Sequence, residues 1–96
     1  MTDASLDGRS FRDPSSDAVL RCREQAGIVW GTVARHGGGI ALALGTRHGD
    51  VIDLRCCHVD DQGATSQSAI RAEVSRLPDG RLRLSGSPAF DEIGDQ

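Results

Sequence analysis

The sequence predicts an all-β fold: a small antiparallel meander of six strands, forming a roll or a partly open barrel in a single domain. Two observations predict it. Short apolar segments recur from residue 18 to residue 86 with glycine-rich turns between them, and two of those turns can be registered so that the large apolar residues of their hairpins share a face. The 96 residues leave room for one domain with a modest core. A hydrophobic share of 38% against 26% charged residues excludes a disordered composition for the chain as a whole.

Residues 1–17 hold Ser, Asp, Gly, Pro and Arg without periodicity and read as a flexible N-terminal arm, with Phe11 as its apolar anchor. Strands are expected near residues 18–24, 27–35, 39–46, 50–60, 68–77 and 81–86, so that residues 18–88 make the β domain and residues 89–96 an irregular acidic tail. In the first hairpin, Arg47-His48-Gly49 reads as a three-residue loop with Gly49 in the left-handed position, pairing Thr46 with Asp50. Leu44 then faces Ile52, Leu42 faces Leu54 and Ile40 faces Cys56. In the second, Pro78-Asp79-Gly80 pairs Leu77 with Arg81 and sets Val74 opposite Leu84. Residues 66–77 also fit a helix, because Ile70, Val74 and Leu77 stand at i, i+4 and i+7. The hairpin register favours the strand.

The core that follows is Leu20, Ile28, Trp30, Ile40, Leu42, Leu44, Ile52, Leu54, Ile70, Val74, Leu82 and Leu84, with Cys56. The opposite face of the second to fourth strands is also dry in character, carrying Val29, Val33, Ala41, Ala43, Val51, Cys57 and Val59. A one-sided antiparallel sheet would place polar residues there. An interface at Val29, Val33, Ala41, Ala43, Val51 and Val59 is therefore expected, covered by a second copy in a homodimer or by a protein partner.

The densest cluster of reactive residue types is Asp53-Leu54-Arg55-Cys56-Cys57-His58-Val59-Asp60-Asp61. Neighbours on a strand point to opposite faces, so Cys56 and Cys57 cannot ligate one ion. Cys56 and His58 share a face, and His36 in the preceding loop lies at the same rim. Three such residues make a weak metal candidate, since a closed structural zinc site takes four ligands at a recognisable spacing. No metal and no cofactor is expected. The adjacent Asp60 and Asp61 lack the alternate spacing of a calcium loop, Ser66 and Ser68 lack the strand–turn–helix setting of a nucleophilic serine, and the glycines after His36 have no helix behind them to cradle a phosphate.

Arg21, Arg23, Arg55, Arg71, Arg81 and Arg83 all project outward in this register, either as an ordinary solvated face or as an anion-binding one. Nucleic acid is a poor partner for a chain of net charge −3 with three aromatic residues, Phe11, Trp30 and Phe90. The charge is uneven, at −2 over residues 1–17, +2 over 18–88 and −3 over 89–96. All 11 basic residues are Arg, and Lys, Asn and Tyr are missing, the mark of a GC-rich coding sequence and hence of a bacterial source.

Three cysteines form no even disulfide set, and the first residues show neither a basic region nor an apolar run. No segment approaches the roughly 20 apolar residues of a membrane-spanning helix. A soluble protein in the reducing cytoplasm is expected. Three function classes fit this architecture. The preferred one is a small non-enzymatic interaction or accessory module that self-associates. The second, a β-barrel for a small molecule or anion, requires the sheet to close around an unfilled interior. The third is an enzyme or metal protein working at the Cys56, His58 and His36 rim.

Overall fold

A computed structural model describes residues 4–35, 39–60, 62–86 and 89–93. Alternating buried and exposed side chains organise them into eight antiparallel strands: β1 (Ser10–Arg12), β2 (Val19–Gln25), β3 (Ile28–Ala34), β4 (Ile40–His48), β5 (Val51–Val59), β6 (Thr65–Arg76), β7 (Leu82–Gly86) and β8 (Phe90–Glu92). Each strand pairs with the next, and β8 pairs with β1, so the sheet closes into a barrel. There is no helix among the described residues. The all-β antiparallel class matches the expectation. The six-stranded meander does not, because the barrel has eight strands.

The two additional strands lie in what the sequence presents as an irregular arm and tail. Phe11 of β1 sits opposite Leu20 on one side and Glu92 on the other, Phe90 of β8 sits opposite Leu84, and the Ile93 N–H donates to the Ser10 carbonyl at 2.8 Å. Both phenylalanines are fully buried. Strands of three residues are too short to show a period in sequence. They form because each brings one large ring into the barrel, and their pairing satisfies backbone groups that would otherwise be open.

The segment that also fits a helix is strand β6. Its hairpin with β7 has the anticipated register, with Val74 opposite Leu84 and the Leu77 N–H donating to the Arg81 carbonyl at 2.7 Å. The β4–β5 hairpin is a correction. Its loop is the two-residue Gly49-Asp50, with Gly49 at a φ of 62° in the first position, where a type II′ turn takes glycine, and His48 pairs with Val51. At the β2–β3 turn, Ala26 and Gly27 both have positive φ, 52° and 79°, the two-residue type I′ pattern, and Gln25 pairs with Ile28.

Thr46 pairs with Asp53 instead of Asp50, a shift of three residues, and a shift by an odd number moves every side chain of a strand to the other face. Val29, Val33, Ala41 and Ala43 therefore line the barrel interior, while Ile28, Trp30, Ile40, Leu42 and Leu44 lie outside. These five are corrections to the predicted core. Leu20, Ile52, Leu54, Cys56, Ile70, Val74, Leu82 and Leu84 are buried as expected. Hydrophobicity cannot choose the face of β3 or β4, because both alternations are apolar. Backbone proximity does. A Cβ at Gly31 would overlap the Arg21 carbonyl, and one at Gly45 the Asp53 carbonyl, so these inward positions have to be glycine.

Candidate functional site

Two features of the barrel stand out, one on its outer wall and one at an end. On the wall, Trp30 of β3 is opposite Leu44 of β4, Leu42 is opposite Cys57 of β5, and Ala34 is opposite Ile40. Ile40, Leu42 and Leu44 are 61%, 65% and 61% exposed, with Ile28, Trp30 and Val59 also open to solvent. The stripe is flanked by Arg23, opposite Trp30, and by Arg55, opposite Leu44.

This is not the face anticipated as an interface. Of the six residues expected there, Val29, Val33, Ala41 and Ala43 are inside the barrel and Val51 is half-buried beside the β4–β5 turn. Val59 alone is exposed. The dry outer surface exists, but its residues are those the sequence assigned to the core.

The six arginines are all exposed, yet they do not converge. They are spread over β2, β5, β6, β7 and the turn before β7, and most are paired: Arg23 with Asp7 at 2.8 Å, Arg71 with Asp53 at 3.6 Å, Arg81 with Asp79 at 2.7 Å, and Arg83 with Asp91 at 2.6 Å. The Arg83 hydrogen bond holds the Asp91 carboxyl below its ordinary pKa, and hydrogen bonds from Arg81 do the same for Asp79. Arg21 and Arg55 make no ion pair among the described residues.

The two barrel ends differ. At one end the segment before β1 crosses the opening and places Leu6 inside, fully buried. Its backbone is held by the Glu24 carboxylate, which accepts the Leu6 N–H at 2.7 Å, and by the Arg47 guanidinium, which donates to the Ala4 carbonyl at 2.7 Å. Glu24 and Arg47 pair with each other at 3.1 Å with side chains only 13% and 9% exposed. The sequence reading missed this cluster by placing Arg47 in a loop and Leu6 in a mobile arm. The available signal was Glu24, two residues beyond Cys22 and four beyond Leu20, on the face that turns inward.

At the other end, beside the β1–β2 loop and the last residues of β3, inward side chains are smaller and a cavity of about 450 Å³ opens. Val33, Ala41, Cys56, Ile70 and Phe90 form its apolar wall, and Asp13, Ser16, Arg35 and Ser68 its polar one. The Asp13 carboxylate accepts from the Ser15 N–H, the Ser15 hydroxyl and the Ser16 hydroxyl at 2.8, 2.7 and 2.9 Å, and the Ser15 hydrogen bonds hold its pKa down. Burial pushes the Cys56 thiol up, opposed by Ser68 across the strand pair and by the charge of Arg35.

Of the metal candidates, Cys56 is buried inside the barrel and His58 is half-buried further along β5 on the same face, beside Gly39. His36 lies outside the described residues. Among the described residues no three His, Cys, Asp or Glu side chains are grouped as metal ligands. Cys57 points outward, so the adjacent cysteines do face opposite ways. Comparison of the chain with protein-family models, with curated proteins and with solved structures found no match.

Proposed function

We propose that the chain is a small non-enzymatic interaction module, a β-barrel that self-associates as a homodimer through the outer face of β3, β4 and β5. The observation that carries this reading is the exposure of Ile28, Trp30, Ile40, Leu42, Leu44 and Val59 on neighbouring strands. Together they offer on the order of 600 Å² of apolar surface, at the top of the range of about 300–600 Å² for the largest patch on a monomer. With the flanking Arg23 and Arg55 the face approaches the ~800 Å² that each partner contributes to a standard interface. Apolar centre and arginine rim are also the usual anatomy of such a contact.

A second copy is the occupant favoured by closed two-fold symmetry, in which one apolar patch covers its own equivalent. A lipid-facing band would have to run around the whole barrel, whereas the outward positions of β2, β6 and β7 carry Arg21, Arg23, Arg71, Glu73 and Arg83. No helix of the described residues is long and apolar enough to cross a membrane. Three free thiols, two of them buried, suit a reducing compartment such as the cytoplasm.

Sedimentation of the wild type against Leu42→Glu tests the proposal. Self-association through this face makes the wild type a dimer and the variant a folded monomer. A monomeric wild type at high micromolar concentration would leave the face to a different protein partner and overturn the homodimer.

A further inference from the structure

The cavity at the end opposite Leu6 is lined by residues other than those of the exposed outer face, and it joins apolar and charged groups. Eight-stranded barrels are just wide enough either to be filled by side chains or to hold one small molecule. Here the two outcomes divide the same barrel. The end crossed by Leu6 is filled, while β4 contributes only Ala41 and Ala43 to the interior before Gly45, which leaves space among the described residues toward the other end. The resulting 450 Å³ falls within the range of about 300–1,000 Å³ typical of small-molecule pockets.

The charges at the mouth are unequal in what they can do. The Asp13 carboxylate is committed to Ser15 and Ser16, where it shapes the β1–β2 loop. Arg35, at the end of β3, lines the cavity and makes no ion pair among the described residues. A planar guanidinium of this kind matches a carboxylate with two parallel hydrogen bonds. Ser68, whose side chain hydrogen-bonds Cys56, adds a hydroxyl to the same lining, and Val33, Ala41, Ile70 and Phe90 provide the apolar wall.

We propose that this cavity binds a small carboxylate with an apolar body, its anionic head on Arg35 and Ser68 and its body against Val33, Ala41 and Ile70. The test uses octanoate as the probe, with octanol and octylammonium as controls, titrated into the isotope-labelled full-length protein and followed by amide chemical shifts. Octanoate should give saturable shifts at Ala41, Cys56, Ser68 and Ile70, and octylammonium should bind at least about tenfold more weakly. Arg35→Gln, at an exposed position, should weaken octanoate by about tenfold or more and leave octanol unaffected. Ala41→Leu, which fills the cavity, should abolish the binding of both. Equal binding of octanoate and octylammonium, an Arg35→Gln variant with wild-type affinity, or octanoate shifts confined to Trp30, Leu42 and Leu44 would each overturn the assignment.

Discussion

Leu42 and Cys57 stand opposite each other on β4 and β5, and both side chains point out of the barrel into solvent. Leu42 is 65% exposed in the middle of a long strand. Its position makes the neighbouring thiol a reporter on whatever covers that face.

Cys57 is therefore expected to react first with a thiol reagent, ahead of Cys22 and Cys56. Burial pushes the Cys22 pKa up to about 12 and also raises that of Cys56, so both stay protonated at neutral pH. The labelling rate of Cys57 should fall severalfold as protein concentration rises and association covers it. Mass spectrometry of the labelled sites at two concentrations gives the answer. A rate independent of concentration would separate Cys57 from any self-contact.

Neighbouring substitutions on β4 should have opposite consequences. Leu42→Glu places a charge on the outer wall and should leave the melting temperature of the barrel within a few degrees of the parent. Ala43→Glu buries a charge without a partner and should prevent folding, at a cost of several kcal/mol. Circular dichroism melts of the two variants check the β4 register directly, since the alternative register exchanges the outcomes.

The closed end should be a large contributor to stability. Leu6→Ala is expected to cost about 3 kcal/mol, as for other fully buried leucines, and to lower Tm by more than about 10 °C in a domain of this size. Glu24→Gln removes the carboxylate charge that the Leu6 N–H and Arg47 share in a site where both side chains are nearly buried, and a loss of about 1–3 kcal/mol is expected. Urea unfolding of both variants measures these losses. An unchanged midpoint for Leu6→Ala would show that the segment before β1 does not plug the barrel.

Acid should weaken the fold through aspartates whose hydrogen bonds lower their pKa. Asp13, with its three hydrogen bonds from Ser15 and Ser16, sits below the ordinary 3.8, as do Asp7, Asp79 and Asp91. A carboxyl whose folded pKa is depressed stabilises the protein in full above its unfolded pKa and loses that contribution as pH falls through the folded value. Denaturation midpoints should thus hold steady down to the ordinary carboxylate range and fall below it. Asp13→Asn should be less stable than the parent at pH 7 and show a shallower decline in acid.

Sequence made the β6–β7 hairpin legible to the residue pair, because only one alternation of each strand is apolar: Ile70, Ala72 and Val74 against Arg71, Glu73 and Ser75. It failed on the facing of β3 and β4, where Trp30 and Leu44 compete with Val29 and Ala43 and both choices bury apolar surface. There the turns at Ala26-Gly27 and Gly49-Asp50 decide, together with the close approach at Gly31 and Gly45. An apolar outer face is present, but the barrel gives it the larger side chains and keeps the smaller ones for its narrow interior. The end cavity leaves no mark in sequence, being a property of which inward residues are small at one end of a closed sheet.

Sedimentation equilibrium of the wild type and Leu42→Glu from low to high micromolar concentration tests self-association through the outer face most directly. Self-association through the outer face predicts a mass moving toward twice that of the chain for the wild type, and a single-chain mass at every concentration for Leu42→Glu, with the native circular dichroism spectrum retained. A wild type that remains a monomer throughout, or a Leu42→Glu variant that dimerises equally well, would contradict it.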